Sequence, residues 1–481
     1  MAEKFPKRQA VVVIHGIGEE RPMQTVRSFV DAMVTTENDT KQKFWTRPDR
    51  MSDSFELRRL TAPGGGANWP LTDYFEYYWA ANMRDTTWPE VLSWLGTLLF
   101  TSGGKIPQRI RWVWRASWAL VLAGLALAVV ASVAFARLGA HSFAGYSVAA
   151  SILMFLLTGA LNVVFLGYIG DAARYLSPKP ENIAQRQAIR RDGVELLRRL
   201  HASGKYGRVV VVGHSLGSVI AYDILRFVFD ELRNETPTSQ TPEREGILRA
   251  MRELIDQGIK TDPSDAEAYT AATAVYVEHF QGLQRALWRA ERETASAWLV
   301  TDLITCGSPL AHAALLMADS EDDLIRREAE RELPTCPPRA QGTENPLTYV
   351  RTDADSPDDD ATDIPVLHTS ALFACVRWTN VYFRADFIGG PVAPVFGAAV
   401  RDIVVEPEDA PGQGDRRRTL QFLKGYTPLS HNMYWCSTPS DEKPAPMQWD
   451  SKHRIRYALD LDSTELLTFP TPPTTDTGTD D

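Results

Sequence analysis

Short, nearly unbroken apolar runs alternate along this chain with longer stretches whose apolar residues recur at helical spacing. QAVVVI (9–14), RVVVV (208–212) and LVTDLITC (299–306) read as strands covered on both faces. FELRRL (55–60), YFEYYW (74–79), WTNVYFRAD (378–386) and RDIVVE (401–406) add further strand candidates. Helices are expected over about 23–34, 181–201 and 219–232, with charged helical sequence over about 243–295. Strands alternating with helices predict an α/β protein, its mainly parallel sheet covered by helices on both faces. In such sheets chemistry sits at the carboxyl ends of the strands.

The middle of the chain breaks this pattern. SWALVLAGLALAVVASVAFA (117–136) carries no charge and is long enough to cross an apolar layer of roughly 30 Å as a helix. A second uncharged stretch covers 142–170, with a helix expected over about 144–170. Neither shows the polar stripe that a buried core helix of this length would carry. Lys105, Arg109, Arg111 and Arg115 precede the pair and Arg174, Lys179, Arg186, Arg190 and Arg191 follow it, whereas the connection holds only Arg137 and His141. The charge bias predicts a two-span membrane hairpin with both long flanks cytoplasmic. Trp112, Trp114, Trp118, Tyr168 and Tyr175 suit the interfacial aromatic belt, and 88–100 is apolar but short enough to lie in the interface. No carboxylate or lysine interrupts the spans, which argues for an anchor over a transporter.

The expected organisation is therefore a first part of one domain (1–87), a membrane-associated segment (88–176), the main part of the same domain (177–465) and a disordered acidic tail (466–481). The main part carries charged insertions at about 235–295 and 317–362. The N-terminal apolar run is too short for a signal peptide and reads as the first strand.

Composition narrows the class. A hydrophobic content of 44% exceeds what a disordered chain carries, and a net charge of −10 argues against a nucleic-acid partner. The four cysteines, Cys306, Cys336, Cys375 and Cys436, are scattered without zinc or disulfide spacing. No metal or organic cofactor is implied.

The chemistry-bearing motif follows the second buried run. Gly213-His214-Ser215-Leu216-Gly217 fits G-x-S-x-G between a strand and a helix. Such a turn presents the serine hydroxyl at the top of a sheet, and small residues two before and two after let strand and helix approach. The helix start aims amide groups at developing negative charge. An oxyanion needs two such donors. One is expected from Leu216 and the other from Ile17 in His15-Gly16-Ile17-Gly18, the loop after the first strand. A serine nucleophile also needs a base, and the base needs an orienting carboxylate, in the chain order Ser, acid, His. His279 lies in helical sequence, His312 comes early and His368 precedes the best acid. His431, in the late loop TPLSHNMYW, is the favoured base, with His453 as fallback. Asp386, ending WTNVYFRAD, is the favoured acid over Asp302, Asp363 and Asp402.

With these pieces in place the chain resembles the α/β-hydrolase superfamily, and within it lipase- and esterase-type members. VVVIHGIGE resembles their oxyanion-loop strand, VVVVGHSLGS the nucleophile elbow, and LITCGSPL the following strand and turn; NVYFRADFIGGP resembles the acid turn and LSHNMYW the histidine loop. The likeness covers roughly 9–80 and 181–436. It implies a serine hydrolase with Ser215, His431 and Asp386 as triad, acting on a lipid or another acyl ester at a bilayer. Thioester or amide cleavage would use the same triad, and a membrane-tethered scaffold without activity is the rival from another class.

Overall fold

Arg8–Ile14 (β1) takes the centre of a sheet because its run from Ala10 to Ile14 is wholly apolar, and every residue from Gln9 to Ile14 is buried. The one polar side chain from Gln9 to Ile14 donates through its amide NH₂, to Thr72 Oγ1 at 2.9 Å and to the Leu461 carbonyl at 2.7 Å. The computed structural model describes residues 8–16, 21–34, 44–63, 70–83, 175, 180–233, 241–294, 296–318, 320–351, 364–405, 428–435 and 451–467, and positions 111, 115, 118, 119, 122, 126, 129 and 133.

The remaining strands are Trp45–Pro48 (β2), Arg58–Ala62 (β3), Thr72–Tyr77 (β4), Tyr206–His214 (β5), Val300–Cys306 (β6), Thr348–Arg351 (β7), Ile364–Leu367 (β8), Arg377–Phe383 (β9) and Arg401–Val405 (β10). Eight of the ten form one sheet in the order β10-β9-β6-β5-β1-β4-β3-β2, and β7 pairs with β8 apart from it. From β10 to β4 all pairings are parallel; β3 and β2 close one edge antiparallel. The protein is thus α/β, with a mostly parallel sheet.

Alternation along the strands sorts the core into two faces. Ala10, Val12 and Ile14 point to the side covered by helices Pro180–Ala202, Leu216–Leu232 and Ala266–Glu293; Val11 and Val13 point to the side covered by Gln24–Val34 and Ser451–Leu459. After β1 the chain fills the sheet on one flank, ending in β4; after β5 it fills the other, through β6, β9 and β10. The connections leaving β1 and β5 therefore diverge, and a crevice opens at their carboxyl ends.

At the opposite, amino end, Arg208 is fully buried and answered on every side: Asp302 Oδ2 at 2.6 Å, Thr301 Oγ1 at 2.7 Å, and the carbonyls of Leu459 and Asp460 at 2.9 and 2.7 Å. Burial alone would raise the Asp302 pKa, but Arg377 and Arg208 outweigh it and hold it at about 2. This pairing ties the last helix to the sheet.

Several expectations need correction. The strand expected at 55–60 lies at Arg58–Ala62, and Phe55, its expected first residue, is fully exposed outside it. The edge strand β2 has no apolar alternation to mark it in the sequence. The insertion at 235–295 is not peripheral: Phe280, Gln284, Leu287 and Glu291 share one buried face of its long helix, and Phe280, Leu287 and Trp288 join the main core. Leu466 and Leu467, expected at the start of the tail, are buried; 468–481 lie outside the described residues. Among the described residues no helix is long and apolar enough to cross a membrane. The span expected at 144–170 and the segment 88–100 lie outside them altogether, and of 117–136 only positions 118, 119, 122, 126, 129 and 133 are described. Those positions are helical, with Leu122, Val129 and Val133 exposed.

Candidate active site

The turn between β5 and the helix Leu216–Leu232 forces Ser215 into an unusual backbone conformation, φ 52° and ψ −129°. For a residue with a Cβ this costs about 1–3 kcal/mol, and it lifts the side chain off the end of the sheet. Glycines on either side make the turn possible. A Cβ on Gly213 would lie 2.5 Å from Ser218 Cα, and one on Gly217 would lie 2.4 Å from the carbonyl oxygens of both Ile14 and His15. Because these obstacles are backbone atoms, alanine does not fit at either position without moving the strand. Across the crevice, a Cβ on Gly16 would meet Ser215 Cβ and His214 Nδ1 at 2.9 Å. The loop after β1 therefore passes within contact of the Ser215 turn. Leu216 begins the helix, where its N–H has no intrahelical acceptor and faces forward. Ile17 and Gly18, the rest of the expected oxyanion loop, lie outside the described residues.

Two further segments converge on Ser215. His431, in the 3-10 turn Pro428–Asn432, places Nε2 2.8 Å from Ser215 Oγ and Nδ1 2.8 Å from Asp386 Oδ2. Asp386 sits in the turn three residues beyond β9. Its Oδ1 accepts the N–H groups of Ile388 at 2.9 Å and Gly389 at 3.0 Å; its Oδ2 also accepts the Tyr434 hydroxyl at 2.7 Å. All three members of the relay are buried, at 2% exposure or less.

Protonation follows from these partners. Burial alone would raise the Asp386 pKa, but attraction to the His431 ring and the bonds from His431, Gly389 and Tyr434 outweigh it and keep the carboxyl below its ordinary value. An ionised carboxylate only accepts, so Nδ1 of His431 carries the proton. In the neutral ring Nε2 is then a lone pair, positioned to take the proton of Ser215. His214 has a different task. Its Nε2 lies 2.9 Å from the His431 carbonyl, an acceptor, so it donates there and tethers the His431 loop to the Ser215 turn. Burial takes its pKa down to about 3, and the neighbouring His431 adds to the effect, so the ring stays neutral and is no second base. His15 is likewise neutral, its pKa lowered to about 4 by burial; it stacks on Trp79 at 5.0 Å, and the Trp79 indole N–H donates to its carbonyl at 2.9 Å.

The chain matches no family, no curated protein and no solved structure in any of three comparisons with known proteins.

The other residues weighed from sequence lie elsewhere. His279 is exposed on the long helix, His453 lies on Ser451–Leu459, and His312 and His368 lie near the Phe387 carbonyl and the Arg331 guanidinium. Asp402 receives the N–H groups of Val392 and Ala393, a turn-holding role; Asp363 lies outside the described residues. Cys306, Cys336 and Cys375 are buried free thiols, and among the described residues no His, Cys, Asp and Glu cluster is arranged for a metal ion. A cavity of about 260 Å³ lined by Arg47, Asp49, Arg59 and Lys205 opens beside the amino end of β5, away from Ser215.

Beside Tyr434, two glycines complete the site. Gly307, at φ 58°, would with a Cβ press to 2.7 Å from the Tyr434 ring and 2.9 Å from Asp386 Oδ2; Gly389 would press to 2.5 Å from Gly307 Cα. Their signal was a glycine directly after a buried strand in GSPL and another in FIGGP.

Proposed function

We propose that this chain is a serine hydrolase of the α/β-hydrolase type, cleaving carboxylic esters through an acyl-enzyme on Ser215. The observation that carries the proposal is the unbroken relay from Ser215 Oγ through the His431 ring to Asp386, with both links at 2.8 Å. Ser215 Oγ attacks the ester carbonyl as His431 Nε2 takes its proton. Asp386 stays ionised and holds the resulting imidazolium. The oxyanion is met by the Leu216 N–H and by the loop after β1, for which Ile17 is the expected donor. His431 returns the proton to the departing alcohol, leaving the acyl group on Ser215. Water then enters, gives its proton to Nε2 and releases the carboxylic acid, restoring the serine.

The uncharged stretches 117–136 and 142–170 and their basic flanks support a bilayer tether with the hydrolase domain on the cytoplasmic side. Exposed Leu122, Val129 and Val133, spaced by seven and four residues on one helix face, accord with apolar surroundings. Residence at a bilayer makes lipid acyl esters the favoured substrates.

A fluorophosphonate probe tests this directly, because it traps only an activated serine. Purified protein in detergent should incorporate one equivalent, with the adduct mapped by mass spectrometry to the peptide containing Ser215. Folded protein that takes up no probe, or takes it up at another serine, overturns the reading.

A further inference from the structure

We propose that Tyr434 is a positioning residue of this site, one that sets the strength of the Asp386–His431 hydrogen bond. The inference rests on the hydrolase reading and deepens it. Tyr434 lies three residues beyond His431, just past the 3-10 turn Pro428–Asn432, and is 1% exposed. Its hydroxyl is placed between two groups. It accepts the Phe383 N–H at the end of β9 at 3.1 Å and donates to Asp386 Oδ2 at 2.7 Å. That oxygen is the same one that accepts His431 Nδ1 at 2.8 Å. Burial, and then the Asp386 charge, push the Tyr434 pKa well above its ordinary value, so the hydroxyl keeps its proton.

The surroundings are shaped to admit this ring. Gly307 has φ 58°, and any Cβ there would lie 2.7 Å from Tyr434 Cε2, 2.9 Å from Asp386 Oδ2 and 3.1 Å from His431 Cε1. The ring edge also meets Phe383 at 5.0 Å and His214 at 5.6 Å between centroids.

Two donors on one carboxylate oxygen share its negative charge. Removing the tyrosine hydroxyl should therefore concentrate charge on the His431 bond and shorten it. At the same time the carboxylate loses one of its anchors, and the Phe383 N–H is left without an acceptor, so the imidazole is held less firmly over Ser215. Tyr434→Phe in the full-length detergent-solubilised protein should lower kcat for a short p-nitrophenyl ester about tenfold with KM within about twofold. The far-downfield proton signal of the His431 Nδ1–H should move further downfield. Replacing Tyr434 with a fluorinated tyrosine, a stronger donor that keeps the hydroxyl, should move the same signal upfield, and it serves if Tyr434→Phe folds poorly. A kcat within twofold of the unaltered protein, or a signal that stays in place in both variants, overturns the proposal. Fluorophosphonate labelling of the unaltered protein at Ser215 is read in parallel. Its absence would sink the hydrolase reading itself, whereas labelling with an unmoved signal sinks only the role of Tyr434.

Discussion

Ser215→Ala should lower kcat for a short p-nitrophenyl ester by about 10⁶-fold, because no neighbour can stand in for the lost hydroxyl. The nearest serine, Ser218, is buried behind the turn, its Oγ engaged with the Ser215 carbonyl at 2.5 Å and Ser308 Oγ at 2.7 Å. His214 is neutral but spends its Nε2 proton on the His431 carbonyl. Alanine keeps a Cβ at the same backbone angles, so the thermal midpoint should stay within about 2 °C. The measurement is a steady-state rate corrected for spontaneous hydrolysis, beside a melting curve of the same preparation. Turnover surviving at a tenth of the original rate would mean that another group is the nucleophile.

Asp386→Asn should cost about 10⁴-fold in kcat. An amide can turn its NH₂ toward His431 Nδ1, and the imidazole proton would then move to Nε2, where it faces Ser215 and cannot accept. Stability should respond to pH in a defined direction. The folded carboxyl titrates below its ordinary value of 3.8, so the ionised form stabilises the native state fully at pH values above 3.8. That contribution drains away as pH falls through the lower, folded value. Asn cannot titrate, so urea midpoints of the variant should lie below those of the unaltered protein at neutral pH and approach them at acid pH, as the folded carboxyl is protonated. Parallel curves at both pH values would show that Asp386 is not ionised in the fold.

Much of this site can be read along the chain because its parts follow one rule, a functional residue just past a buried strand. His15 follows β1, Ser215 follows β5, Gly307 follows β6 and Asp386 comes three residues after β9. What sequence periodicity does not encode is which surfaces those strands share. Phe55 looks like an inward strand residue and is fully exposed, while the four residues of β2 pair at the sheet edge with little burial of their own. The helix Ala266–Glu293 reads as charged insertion because its buried face includes Gln284 and Glu291. The Gln284 amide donates to the carbonyls of Phe373 and Val376, and Glu291 pairs with Arg244, so polar side chains occupy what is packed as core. Tyr434 is a similar case. An aromatic residue after a histidine in a loop has no periodic signature, and its meaning emerges only when three distant segments share one carboxylate.

The contorted backbone at residue 215 sets heat tolerance and turnover against each other at a single position. Glycine would relax there, since it lacks the atom that makes such angles awkward. Laboratory evolution for survival of boiling alone should drift to glycine at 215, trading the reaction for a sturdier molecule. Libraries screened on melting temperature without an activity check would then enrich inert variants of this chain.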